Sequence, residues 1–418
     1  MPWSNNHLPK YRKHRSSGQA VVTLNGRDFY LGPHGTNASK IQYDRLLGEW
    51  LQNSRNPFCG AEDGITVVEV CARYFKFAKG NYLRNGQCTG ETPNIRIALR
   101  FLRQWYGKSP AAEFGPLALQ ALRKRMIDAN HSRNYVNSQV NRIKRMFKWA
   151  VAEGLVPPSV AQGLAAVVGL RLGRGGARET APVLPVEDSI VEKTLPYMTT
   201  IVADMVRVQR LSGIRPAEVC LLRPYDLDRG NEVWVYRPAN HKTEHHGRAR
   251  TVYIGPQAQQ ILLRYLARSA DDYCFRPCDS EAKRLAAKFD LRVTPLSCGN
   301  RPGTNRKPKP KKAPGNRYTT DSYRRAIHYA CDKAFPHVEL GSIIRDPMTA
   351  SQRTELKKWQ SDHRWSPNQL RHAAATDVRK QFGLEAAQII LGHSAADVTQ
   401  VYAERDMAKG LEVARQIG

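Results

Sequence analysis

Acidic side chains, cysteines and long apolar runs are all scarce in this sequence. Only 37 Asp+Glu face 65 Lys+Arg among 418 residues, giving a formal charge of +28 and a pI near 10. The excess is spread along the whole chain, which points to a polyanionic partner. A membrane is set aside as that partner, because apolar stretches such as 164–170 fall far short of the roughly 18 residues a spanning helix needs. The first residues, MPWSNNHLPKYRKHR, are basic but contain no apolar stretch, so they do not read as a signal peptide. The expected location is the cytoplasm, in association with the nucleoid. Eight cysteines, at 59, 71, 88, 220, 274, 278, 298 and 331, lack the density and pairing of a disulfide framework and are expected to be reduced. Cys274, Cys278 and Cys298 have no second Cys/His pair at ligand spacing, so neither a metal nor any other cofactor is expected.

What is present is a chain too long for one hydrophobic core, so two or three domains are expected. Residues 1–60 hold two alternating segments, 19–24 and 27–31, around Asn25-Gly26, a strong hairpin signal. A helical pattern over 39–52 follows, with Ile41, Leu46, Leu47 and Trp50 on one side. The module therefore reads as a small sheet backed by a helix, with Lys10, Arg12 and Lys13 as DNA-contact candidates ahead of it. Those residues are equally well explained as a solvated basic tail on a packing module.

Residues 64–170 read as almost wholly helical, with helices expected at 67–79, 93–106, 115–129, 132–153 and 160–168. The fourth carries Arg133, Arg142, Lys144, Arg145 and Lys148 interleaved with Tyr135, Val136, Val140, Ile143, Phe147 and Trp149. Its apolar positions face a core by spacing, which leaves a basic face for phosphates. Residues 171–187 combine Gly, Arg and Pro without periodicity and read as a linker. Beyond it, 188–410 mixes helices with a hairpin at 232–237 and 250–254, an α+β domain. Within it, 299–318 is too rich in Pro, Gly and Lys to bury a core and reads as a basic insertion, and 411–418 is a short tail.

The chemistry sits in this second part. Residues 368–376 read NQLRHAAAT and 391–402 read LGHSAADVTQVY, so a histidine follows Arg371 by 22 residues and a tyrosine follows that by nine. Upstream, 212–219 read SGIRPAEV, placing Arg215 directly before a proline suited to open a helix, with Glu218 set to reach back toward it. Lys242 lies in the hairpin loop. A tyrosine phenol is protonated at neutral pH and needs cations to attack a phosphodiester. Arginine forks stabilise the extra charge on the nonbridging oxygens, and a positioned acid must protonate the departing oxygen. Each residue alone reads as packing or surface charge, but together they supply every part of that reaction.

The ordered series Gly-Ile-Arg-Pro-Ala-Glu, hairpin Lys, Gln-Leu-Arg-His, Leu-Gly-His and Thr-x-x-Tyr resembles the catalytic domain of the tyrosine recombinase (phage integrase) family. The helical segment before it resembles that family's core-site-binding domain, and the N-terminal module is similar to its arm-binding modules. The resemblance implies Arg215 and Arg371 as the site arginines, Lys242 as the acid, His393 as the late histidine, Tyr402 as nucleophile and Glu218 as support of the first arginine. It also implies double-stranded DNA as partner, a homotetramer acting through a Holliday junction, and DNA-bending or directionality helper proteins. The sequence departs from the family at Asn368, where His-x-x-Arg usually begins; an amide donates a hydrogen bond but cannot shuttle a proton. His363 and the adjacent His372 are candidate substitutes, but Asn368 is expected to occupy the site as a hydrogen-bond donor, with His372 buried structurally. The expected fold is thus multidomain, a mainly α-helical core-binding domain plus an α+β catalytic domain with a small β-sheet/helix module in front. The expected function is integration or excision of a mobile element through a 3′-phosphotyrosyl intermediate. A site-specific DNA-binding regulator that does not cut, and a type IB topoisomerase-like enzyme, are the alternatives.

Overall fold

A computed structural model describes residues 8–52, 64–84, 86–238, 250–295, 297–298, 313–340 and 348–392. The chain divides into two compact units, 1–181 and 182–418.

In the first unit, β1 (Arg12–Lys13), β2 (Gln19–Leu24) and β3 (Arg27–Pro33) form an antiparallel sheet in that order. The β2–β3 turn is made by Asn25 and Gly26, both at positive φ (47° and 81°), as a two-residue hairpin with the sheet's own twist requires. Helix α1 (Asn37–Gln52) covers the sheet with Leu46 and Trp50, while Ile41 is half exposed and Tyr43 packs in its stead. The remaining elements are α2 (Val67–Asn81), a hairpin of β4 (Leu83–Arg84) and β5 (Gln87–Cys88), α3 (Glu91–Tyr106), α4 (Pro116–Asp128), α5 (Arg133–Ala152) and α6 (Pro158–Ala165). Their apolar stripes meet in one core in which Ile95, Leu102, Leu122, Val136, Ile143 and Phe147 are fully buried. The sheet module packs on this bundle. Ser109 Oγ donates to Tyr30 O at 3.1 Å, and Gly32 (φ 89°) lies so close to the Tyr106 ring that a Cβ there would collide with it. Residues 171–181 stay on this unit, where Glu179 binds Arg133 at 2.8 Å.

The second unit centres on α8 (Thr200–Ser212), which is buried on almost every face and surrounded by the other elements. Before it comes α7 (Asp188–Thr194); after it come α9 (Pro216–Cys220) and the antiparallel sheet β6 (Leu227–Asp228), β7 (Trp234–Tyr236) and β8 (Val252–Ile254). Then follow α10 (Pro256–Leu263), α11 (Pro277–Asp290), α12 (Thr320–Ala334), α13 (Ala350–His363) and α14 (Pro367–Leu391). Gln209 of α8 pins two of them. Its Nε2 donates to Pro367 O at 2.8 Å and its Oε1 accepts from Tyr323 Oη at 3.0 Å, which fixes the start of α14 and the first turn of α12 against α8. A buried amide needs such partners, so this contact sets register as well as packing. Helix α14 is interrupted at Gly383 (φ 88°, ψ 177°), a conformation open essentially to glycine alone.

Candidate active site

The site begins where α8 ends. Gly213 closes that helix in the left-handed region (φ 61°), and the chain turns through Ile214 to Arg215, the residue before α9. Pro216 opens α9, a helix of only five residues. Glu218 reaches back: its carboxylate accepts from the Arg215 backbone N–H at 3.1 Å and from Arg215 Nη1 at 2.7 Å. The Arg215 side chain remains about a quarter exposed (23%), whereas that of Glu218 is almost fully buried (3%). A carboxylate so deep needs further charge, and Arg250 supplies it, with Nε 3.4 Å from Glu218 Oε1 and its own side chain only 3% exposed. Burial raises the Glu218 carboxyl pKa, but Arg250 and Arg215 outweigh it and hold it below the usual carboxylate range. Burial also pushes the Arg250 guanidinium down, an effect that Arg215 reinforces and Glu218 opposes.

Arg371, on the first turns of α14, is 1% exposed, and its guanidinium faces main chain: Nη1 donates to Gly213 O at 2.5 Å and Nη2 to Leu391 O at 2.7 Å. It therefore ties the end of α8 to the end of α14. Gly392 follows in the left-handed region (φ 61°), and a Cβ there would collide with the Arg250 guanidinium. The contacts close into a ring: Arg371 to the Gly213 turn, that turn to Arg215, Arg215 to Glu218, Glu218 to Arg250, Arg250 to Gly392, and Leu391 back to Arg371. Three guanidiniums and one carboxylate are thus gathered from segments far apart in sequence.

Lys242, His393 and Tyr402 lie outside the described residues, as do most of the basic insertion and the 411–418 tail. Asn368 is half-buried, its Nδ2 3.5 Å from Nε2 of His372 one helical turn on, and His372 is itself buried. His363 stacks on Trp359 at 3.8 Å between ring centroids and shares a 2.8 Å hydrogen bond with Trp359 O.

The residues expected to touch DNA are distributed unevenly. On α5, Arg142 and Arg145 both bind Glu91, at 2.8 and 2.5 Å, Arg133 binds Glu179, and Lys144 donates to Val167 O. Lys148 is exposed. Ahead of the sheet, Lys10 and Lys13 are exposed, and Arg12 binds Asp28 at 2.7 Å. Among the described residues no cluster of His, Cys, Asp and Glu is arranged to hold a metal, and no helix is long and apolar enough to cross a membrane. Arg250 is the functional candidate that the sequence did not yield. The one signal for it was its place as the last cation before a strand whose hairpin had already been read.

No family model and no curated protein matches the sequence. Solved structures match the fold. The integrase of transposon Tn1549 in complex with a circular intermediate DNA matches with a TM-score of 0.53 at 16% identity, covering 85% of this chain and 100% of that one. The same integrase in complex with transposon right end DNA matches with a TM-score of 0.51, again at 16% identity and over 85% and 100% of the two chains. Helical first unit, α+β second unit and these matches agree: the chain has the fold of the tyrosine recombinases.

Proposed function

We propose that the protein is a site-specific DNA recombinase, an integrase that cuts and rejoins double-stranded DNA through a 3′-phosphotyrosyl intermediate and moves a mobile element. The observation that carries this reading is the ring of Arg215, Glu218, Arg250 and Arg371, which gathers positive charge at Arg250, next in sequence after the stretch bearing Lys242, and beside Gly392, which precedes His393. The fold it shares with a transposon integrase supports the same reading. Tyr402 Oη attacks phosphorus and gives its proton to solvent; the bond to the 5′-oxygen breaks, and Lys242 protonates that oxygen, regaining its own proton from solvent. Arg215 and Arg371, with hydrogen bonds from Asn368 and His393, offset the charge that develops on the nonbridging oxygens. Attack of a partner strand's 5′-hydroxyl on the phosphotyrosine reverses these steps, so neither nucleotide nor metal enters the balance. Residues 1–60 would act as an arm-type module and 64–170 as the core-site grip, with four protomers joining two sites through a Holliday junction.

A second reading, a site-occupying DNA-binding protein that does not cut, draws on Asn368 in place of a histidine and on the engagement of Arg371 by main-chain carbonyls. Nicked duplexes tiled across the DNA flanking the gene separate the two. The recombinase reading expects a covalent protein–DNA adduct on one of them that Tyr402→Phe abolishes while binding persists. Specific binding with no adduct from the wild type favours the regulator, and relaxation of supercoiled DNA without sequence preference favours a topoisomerase.

A further inference from the structure

Arg250 meets two of the segments that surround the proposed site and adjoins a third. In sequence it directly follows 239–249, the stretch that holds Lys242. Its Nε meets the carboxylate that fixes Arg215. Its guanidinium fills the space beside Gly392, where α14 ends and from which the chain continues into His393, with Cζ at 3.0 Å and Cδ at 3.4 Å from the position a Cβ would take. Nη1 donates to Thr251 O at 2.9 Å, which holds the side chain against its own strand. Nη2 is buried and has no hydrogen-bond partner among the described residues.

A cation this deep, beside a second cation, is an expensive way to fill a core, and an apolar side chain of similar volume serves packing as well or better. What an apolar side chain cannot do is hold Glu218 ionised and aimed at Arg215. We propose that Arg250 is a positioning residue of the strand-cutting site, fixing Arg215 through Glu218 and shaping the turn at Gly392 that leads to His393, an inference that rests on the recombinase reading above. Arg250 touches neither DNA nor the reacting phosphate; it acts through the groups that do.

The test compares the full-length protein with Arg250→Met and Arg250→Lys on the nicked flanking duplexes, reading binding and covalent-adduct formation separately. Arg250→Met is expected to bind with the wild-type Kd and to form adduct about 10- to 100-fold more slowly, the scale of a misplacement at a reacting centre. Among the described residues Glu218 is faced by Arg215, Arg250 and Tyr236, whose hydroxyl donates to the Glu218 carbonyl at 3.0 Å. Loss of one of its two cations raises the Glu218 pKa, so the acid limb of the rate profile moves to higher pH; Arg250→Lys, which keeps the charge, recovers most of the rate. Adduct formation within twofold of wild type with an unmoved acid limb overturns the proposal, as does a loss of binding that matches the loss of rate. Should Arg250→Met fail to fold, the Lys variant carries the comparison: a wild-type acid limb with most of the rate retained and binding unchanged is expected, and a shifted acid limb or a loss of binding overturns the proposal.

A wild type that forms no adduct on any duplex removes the recombinase reading and leaves Arg250 to a second measurement, melting against pH. Glu218 has a depressed folded-state pKa, so the stability it contributes is present above its unfolded value and is lost as pH falls through the folded one. Wild type must therefore lose more melting temperature than Arg250→Met between about pH 5 and pH 3. Equal losses overturn the coupling on which the proposal stands.

Discussion

Replacing Glu218 by glutamine removes the one carboxylate in the ring while keeping its shape. The side chain is 3% exposed and answers Arg250 at 3.4 Å and Arg215 at 2.7 Å. At an effective dielectric of about 20 the Arg250 contact carries roughly 5 kcal/mol of gross attraction. The amide oxygen retains a neutral hydrogen bond, and Arg215, partly exposed, can turn to water, so the net loss is about 3 kcal/mol, at the low end for breaking a buried pair. For a unit of this size that lowers the melting temperature by about 6–12 °C, measured by calorimetry on the full chain. Because the damage is an uncompensated Arg250, the double variant Glu218→Gln/Arg250→Met should lose less than the two single variants together, by about 1–3 kcal/mol. Additivity to within about 0.5 kcal/mol refutes the coupling and, with it, the reasoning that the ring is electrostatic.

Gly392 and Gly213 share a φ of 61°, but only at Gly392 does a Cβ meet the buried Arg250; at Gly213 it meets Leu391 Cδ2 in ordinary contact at 3.5 Å. Gly213→Ala should therefore cost about 1–2 kcal/mol from the backbone alone, and Gly392→Ala clearly more, read as denaturant midpoints at equal slope. Glu91 is ionised at neutral pH, its carboxyl held below the usual range first by the hydrogen bond from Arg142 and also by Arg145, against the opposing effect of burial. If α5 presents its cations to phosphates, Glu91→Gln releases two of them and tightens DNA binding about two- to fivefold at low salt, as expected for a partly exposed ion pair, and makes the salt dependence steeper. Unchanged affinity and slope in a salt titration would place the DNA elsewhere on this unit.

Local signals reached far into the fold. Asn25-Gly26 marked its hairpin because few other pairs accept two positive φ values in succession. Pro216 marked its helix start because a helix's first residue needs no N–H, and Pro116, Pro158 and Pro367 open helices for the same reason without having been read as starts. The pairing of Arg215 with Glu218 was legible for the same reason, since three residues on a helix start bring them together. What stayed hidden was set by distance along the chain. Arg250 reads as the end of a basic run until the fold brings it to Glu218, 32 residues earlier. Glu91 takes up Arg142 and Arg145 across more than 50 residues, so a helix face that looks open in sequence is partly occupied in space. Arg371 stands out in sequence by its motif, but its hold on Gly213 and Leu391, and the Gln209 contact that anchors the start of α14, have no local signature. The two-residue strand β6 was too short to carry an alternating pattern at all.

The central claim is that Tyr402 becomes covalently joined to DNA. Adduct trapped on a nicked flanking duplex, digested with nuclease and protease and sequenced by mass spectrometry, identifies both the modified residue and the DNA end it holds. The account predicts a nucleotide on Tyr402 joined through a 3′-phosphate, with a free 5′-hydroxyl on the released strand. A nucleotide on any other side chain, or a 5′-phosphate linkage, contradicts it.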